Sequence, residues 1–267
     1  MIAKVSIVIT AYNAERYIGA SVNAALAQRY PNYEVLVVDD GSTDNTEQIC
    51  RSFRDAKLNF YKFDRIGRSR ALNEGIRRAG GEFIAINDAD DISLPGRLQC
   101  AVDFFKANPS TVLLGTGYIE SPVFHENIPD KLLLYSGVGF PTWIDDKRVY
   151  RNNPYIHSTV VFSKHVWQQA GGYDESLPMC VDYDFFLRAK RFGKFAYLPQ
   201  QTLLYYTNPQ SYFKKKSYNE YLQTNLHIRK RARNELKLPL WASVMDFVQY
   251  YQYARMVAKN FLSRNCN

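Results

Sequence analysis

The sequence predicts an α/β fold, a mostly parallel sheet with helices on both faces, followed by a helical appendage. Two observations lead there. Short apolar runs of strand length alternate with segments of helical pattern through the first half of the chain. Polar clusters stand where several of those runs end, which is the rim at which sheets of this kind bind ligands.

Taken in order, Val5 to Ile9 reads as a strand, Ala14 to Gln28 as a helix, and Glu34 to Val38 as a second strand ending at Asp39-Asp40-Gly41. A helix capped by Ser42, Thr43 or Asp44 runs to about Phe53. Leu58 to Phe63 is a third strand, and Arg68 to Arg78 is a helix closed by Gly80-Gly81. Glu82 to Ile86 is a fourth strand, ending at Asn87-Asp88-Ala89-Asp90-Asp91. Pro95 starts a helix through Lys106, and Thr111 to Gly115 is a fifth strand. Tyr118 to Asn153 is irregular and rich in Pro, Gly and aromatics. Beyond it, Tyr155 to Phe162 reads as a strand, Val181 to Arg191 as a helix, and Phe195 to Leu198 and Leu203 to Tyr206 as short strands. Two helices, about Ser217 to Leu236 and about Leu240 to Leu262, flank Pro239 at the end.

The chain has 267 residues, enough for a large domain with an appendage. No segment is long and apolar enough to span a bilayer. The first apolar run leads straight into Thr10, Tyr12 and Asn13 without a small-residue cleavage site, so it is expected to be a strand and not a signal peptide. Cys50, Cys100, Cys180 and Cys266 show no metal-ligand spacing, and free thiols in a cytoplasmic protein are expected. The net charge of +8 is uneven: residues 212–267 hold 11 Lys or Arg against 3 Asp or Glu, and residues 1–211 are balanced. A neutral body with a basic, aromatic tail places any acidic partner at the tail.

Asp88-Ala89-Asp90-Asp91 puts three carboxylates in four residues, which repel one another unless a cation or hydrogen-bond donor offsets them. A hard divalent cation bound to phosphates does so, as does a solvated turn capping the next helix. Asp39-Asp40-Gly41-Ser42 suits an ordinary turn and also an acceptor for a base or ribose. Asp182-Tyr183-Asp184 opens a helix, where a carboxylate either complements the helix N-terminus or serves as a general base. His157 is one of four histidines and a candidate for substrate contact. There is no G-x-G-x-x-G and no G-x-x-x-x-G-K-[ST], which removes dinucleotide and P-loop readings.

Together, Val5-Ser-Ile-Val-Ile-Thr10-Ala11-Tyr12-Asn13, Val38-Asp39-Asp40-Gly-Ser-Thr-Asp44, Gly67-Arg-Ser-Arg70-Ala-Leu-Asn73, Asp88-Ala-Asp90-Asp91, Asn153-Pro-Tyr-Ile-His157-Ser, Gly171-Gly-Tyr-Asp174-Glu and Asp182-Tyr-Asp-Phe-Phe-Leu-Arg188 resemble family 2 glycosyltransferases, over about residues 4 to 208. The resemblance implies a GT-A, Rossmann-like domain over residues 1–211, with a nucleotide-sugar half to about 117 and an acceptor half after it. Residues 212–267 form the tail. It implies that Thr10, Ala11 and Tyr12 line the base, that Asp39 accepts from it, that Arg70 lies near the diphosphate and that Asp88 holds the ribose. It further implies that Asp90 ligates Mn²⁺ or Mg²⁺ and that Asp182 is the catalytic base, with Asp91 and His157 as sugar or acceptor contacts. The implied activity is inverting transfer of one sugar from a nucleotide sugar, a UDP-sugar in most relatives, to a saccharide or lipid-linked saccharide in surface-polysaccharide synthesis.

Two positions depart from the family pattern. Val181 stands where Glu is frequent before the base, and Tyr205-Tyr206-Thr207-Asn208 lacks the Arg and His that often follow the last strand, so metal binding leans on Asp90, phosphates and water. A degenerate binder without turnover is one competing reading. A nucleotidyltransferase is another, although Thr10 to Ala14 is not its phosphate loop. The tail clusters Lys214 to Lys216 and Arg229 to Arg233, with Trp241, Phe247, Tyr250, Tyr251, Tyr253 and Phe261, suit an anionic membrane surface or a helix pair packed on the body. They suit pairing of two copies as well, and nucleic acid is not expected.

Overall fold

A computed structural model describes residues 2–128, 140–209, 217–235, 238–239, 241–248 and 251. Its first half is built from strands β1 (Val5–Ala11), β2 (Tyr33–Asp40), β3 (Leu58–Phe63) and β4 (Phe83–Asp88), paired in parallel in the order β3-β2-β1-β4. Helices α1 (Ile18–Leu26), α2 (Thr46–Ser52) and α3 (Arg68–Arg78) connect them. The inner strands read as continuous apolar runs because both of their faces are covered. On one face Val8, Leu36, Ile84 and Ile86 pack with Leu72 and Ile76 of α3. On the other, Ile7, Ile9, Val35, Val37 and Ala85 pack with Ile18 and Val22 of α1. This is the two-residue alternation of a strand sorted onto two cores. α3 lies so close to the sheet that a Cβ at Gly75 would stand 2.7 Å from Val8 Cγ1.

The second half adds β5 (Ile92–Ser93), α4 (Arg97–Ala107), β6 (Thr111–Ser121), β7 (Thr142–Ile144), α5 (Asp146–Arg151), β8 (Val161–Ser163), α6 (Lys164–Gln169), α7 (Val181–Ala189) and β9 (Lys194–Tyr206). The sheet continues from β4 through β8, β6 and β9 to β5, with β7 also on β9. The long ladders β1–β2, β1–β4, β2–β3 and β6–β9 are parallel, as expected, and the short pairings of this half are antiparallel: β8 with β4 and β6, and β5 and β7 with β9.

Other expected boundaries shift for local reasons. α1 starts at Ile18 because the amides of Ala14 and Glu15 are taken by Thr46 Oγ1 and Asp44 Oδ2. Asn45 occupies the N-cap position of α2 without a side-chain cap bond, and Asp44, one of the expected caps, accepts the amide of Thr46. The strand expected over Tyr155 to Phe162 is a 3-10 turn at His157–Thr159 followed by the short β8. Asn153 Oδ1 accepts the amide of Tyr155 and Ile156 O that of Thr159, which bends the chain. The two short strands around Pro199 form one strand, β9. Its pairing with β6 shifts register at Gly117, where a Cβ would meet Pro199 O at 2.5 Å.

Helix α8 (Tyr218–Glu235) and a helical segment over 241–248 pack on the body through the buried Leu222, Ile228, Ala232 and Ala242. The arginines of the 229–233 cluster turn inward: Arg229 and Arg233 pair with Asp246, and Arg231 pairs with Asp174 and Asp184. Lys214 to Lys216, Tyr250, Tyr253 and Phe261 lie outside the described residues. No described helix is long and apolar enough to cross a membrane.

Candidate active site

The parallel register brings the expected residues to one rim. Ala11, the last residue of β1, stands opposite Asp39 on β2, and Thr10 stands opposite Asp88 on β4. Three segments far apart in sequence thus end side by side.

Asp39 is fully buried, and its Oδ1 accepts the amide and hydroxyl of Ser42. Its Oδ2 is buried with no partner among the described residues, an expensive arrangement for an acceptor unless a ligand fills it. Asp40 accepts the amide of Gly67 at 2.9 Å and pairs with Arg65, whose guanidinium lies 3.6 Å from the centroid of the Tyr12 ring. Tyr12 is 46% exposed and carries Arg65 on one face. Arg65 was not found by sequence reasoning, because its loop position carries no periodic signal.

Asp88 accepts from Arg68 Nη2 at 2.6 Å, and its amide is held by Ser158 Oγ. Burial alone would raise the Asp88 carboxyl, but the charge and hydrogen bond of Arg68 outweigh it and hold the group below the usual carboxylate range. The same Arg68 Nη2 lies 3.2 Å from His157 Nδ1, and His157 Nε2 lies 2.8 Å from the Tyr173 hydroxyl. His157 is buried, and burial lowers its pKa despite the opposing charges of Asp182 and Asp88. Arg70, expected near the diphosphate, is exposed, as is Arg68, and it is the Arg68 guanidinium that bonds Asp88 and lies beside His157.

Asp90 accepts from Asn208 Nδ2 at 3.0 Å, and burial, then the nearby charge of Asp88, raises its pKa. Asn208 follows the last strand, where the family frequently has His. Asp91 is 1% exposed; its Oδ1 takes the amide of Tyr206, which ties this loop to the end of β9, and its Oδ2 is buried with no partner among the described residues. Burial, then Asp88 and Asp90, pushes its carboxyl well above the ordinary range. The loop is braced from behind by the fully buried Arg97, which donates to Asn87, Ser93 and the carbonyl of Ile86.

Asp182 sits half-buried in the first turn of α7, and Asn153 Nδ2 donates to its Oδ2 at 2.6 Å. It is near enough that its charge adds an upward push at Arg68, His157 and Tyr173, behind Asp88 at Arg68 and burial at the other two. Asp182, His157, Arg68, Asp88 and Asp90 therefore share one electrostatic neighbourhood.

No cluster of three or more His, Cys, Asp or Glu side chains among the described residues is arranged to hold a metal. A lone partly desolvated carboxylate at Asp90 fits a Mg²⁺-like cation, which takes one or two protein carboxylates and completes its shell with phosphate and water.

The family model of glycosyl transferase family 2 matches residues 6–166, more than half of the chain. A glycosyltransferase of Haemophilus influenzae is 27% identical over 226 residues, which are 75% of this chain and 64% of that protein. EpsE of Bacillus subtilis, named as a glycosyltransferase, is 28% identical over 243 residues, covering 89% of this chain and 84% of that protein. Chondroitin synthase of Escherichia coli is 29% identical over 197 residues, which are 73% of this chain but 27% of that protein. The chain thus spans less than two thirds of the Haemophilus influenzae and Escherichia coli relatives. Among solved structures, S. aureus TarS in complex with UDP-GlcNAc superimposes with a TM-score of 0.71 at 20% identity, over 86% of this chain and 67% of that one. The mannosyltransferase PcManGT of Pyrobaculum calidifontis, in complex with GDP-Man and Mn²⁺, gives a TM-score of 0.68 at 19% identity, over 100% of this chain and 80% of that one. The chain belongs to glycosyl transferase family 2, and its fold is the GT-A fold.

Proposed function

We propose that this chain is an inverting glycosyltransferase that moves one sugar from a UDP-sugar to a hydroxyl of a saccharide or lipid-linked saccharide in surface-polysaccharide synthesis. The observation that carries it is the register that sets Asp39, with its unpartnered Oδ2, and Asp88 on either side of the end of β1. An N–H of a base satisfies that buried oxygen, and ribose hydroxyls suit the ionised Asp88. The donor's base lies along Thr10, Ala11 and the face of Tyr12 that Arg65 leaves open.

Asp182 accepts the proton of the acceptor hydroxyl as its oxygen attacks the anomeric carbon. The bond from that carbon to the diphosphate oxygen breaks, and its electron pair leaves with the diphosphate. Asn153 holds one oxygen of Asp182, which directs the other toward the incoming hydroxyl. General-base assistance of this kind contributes ~10²–10⁴ in rate. Arg68, in place of Arg70, supplies fixed positive charge beside the diphosphate. Asp90 would hold Mn²⁺ or Mg²⁺ together with diphosphate oxygens, and that cation supplies further charge stabilisation at the leaving group.

A thermal-shift screen of UDP- and GDP-sugars, each with and without Mn²⁺, tests this. Ligands that bind the native state raise its melting temperature by mass action. A metal-dependent rise with a UDP-sugar is the expected result. A rise with GDP-mannose alone moves the donor to another base, and no rise with any nucleotide sugar overturns the donor site.

A further inference from the structure

Helix α8 lies beyond the residues matched by the family model, yet one of its side chains reaches the catalytic half of the site. Arg231 spreads its guanidinium between two carboxylates of different elements, Asp174 in the loop after α6 and Asp184 on α7. Each carboxylate is anchored on its far side. Asp174 Oδ1 accepts the amide and hydroxyl of Ser176, at 2.9 and 2.6 Å. Asp184 is 1% exposed and its Oδ2 takes Arg188, which also donates to the carbonyls of Ala170 and Gly172. Burial would raise the Asp174 carboxyl, but Arg231 and Ser176 pull it down to about 2. A planar fork satisfies two carboxylates at once in a way that a lysine ammonium does not.

The two elements joined by Arg231 are those that carry the chemistry. The loop presents Tyr173, whose hydroxyl meets His157. α7 presents Asp182 two residues before Asp184. We propose that Arg231 is a positioning residue that sets Asp182 relative to the Tyr173–His157–Arg68 chain, so that α8 completes the acceptor side of the site. This rests on Asp182 being the base.

The test is a double-mutant cycle between Arg231→Gln and Asp182→Asn. It is read as UDP release from UDP-GlcNAc and UDP-glucose with Mn²⁺, water being the acceptor. UDP titration counts folded donor sites in every variant. Displacements of about 1 Å at a reacting group cost up to ~10²-fold, so Arg231→Gln is expected to lower kcat ~10–100-fold with the donor KM and UDP stoichiometry unchanged. In the Asp182→Asn background the same change is expected to cost nothing more, because the group it positions is gone. Arg231→Lys is expected to recover part of kcat, and it replaces Arg231→Gln in the cycle if that variant does not fold. An equal loss in both backgrounds, or no loss in either, overturns the positioning role alone. Full kcat in Asp182→Asn by itself overturns the base assignment and this inference with it.

Discussion

Arg68 donates to Nδ1 of His157 across 3.2 Å, and this one contact assigns the protons of the imidazole. A guanidinium has no acceptor, so Nδ1 must accept, and the neutral ring carries its proton on Nε2, facing the Tyr173 hydroxyl. Protonating the ring would set a second cation against Arg68.

Stability should therefore depend on pH through His157. Burial lowers its pKa in the folded state, so the unfolded chain binds the proton more tightly. Linkage then makes stability fall as pH drops below the unfolded value of about 6.5, and the loss continues down to the folded value. Melting curves across this range should slope downward toward acid for the native chain, and His157→Gln should flatten that slope. An unchanged slope would place the acid sensitivity elsewhere.

Asp182→Asn should leave nucleotide affinity within about twofold and reduce turnover by ~10²–10⁴, the range expected for loss of a general base. Calorimetric UDP titration beside a UDP-release assay separates the two quantities. Affinity lost together with turnover would mark Asp182 as a structural residue.

Asp90→Ala should abolish the part of UDP binding that depends on Mn²⁺ and leave the metal-free part. Burial and Asp88 destabilise the removed carboxylate in its charged form, which is a condition a cation relieves. Titrating Mn²⁺ into the UDP complex of each variant checks this, and identical curves would place the cation elsewhere.

Arg68→Ala and Arg70→Ala should behave differently. Loss of Arg68 leaves Asp88 without its 2.6 Å partner and removes charge from the diphosphate side, so UDP affinity should fall about tenfold or more, within the 1.5–3 kcal/mol range of charge-assisted hydrogen bonds. Arg70 is exposed, and its loss should change UDP affinity by less than about twofold, as surface substitutions do. Fluorescence or calorimetric titration of both variants decides between the two arginines.

Most of the donor half was legible in the sequence. Strands buried on both faces must be written as continuous apolar runs, so β1, β2 and β4 announce themselves and the polar residues just after them mark the rim. β3 and α3 fall at their expected bounds because each is framed by turn-forming residues. The acceptor half was less legible. Its strands pair antiparallel or shift register at Gly117, and the His157 turn is set by side chains of Asn153 and Thr159 that no hydrophobic period reveals.

By itself the sequence determined the α/β class, the acidic clusters and their order along the chain, because hydrophobic periodicity and turn chemistry are local properties. Only the tertiary structure decided which arginine of α3 faces Asp88, that Asp91 is an internal strut, that Arg65 covers Tyr12, and that the arginines of α8 turn inward. Those outcomes depend on helix phase and on contacts between residues as far apart as Asp184 and Arg231. A one-dimensional pattern does not encode the rotation of a helix about its axis to within a single side chain, and packing against the sheet does.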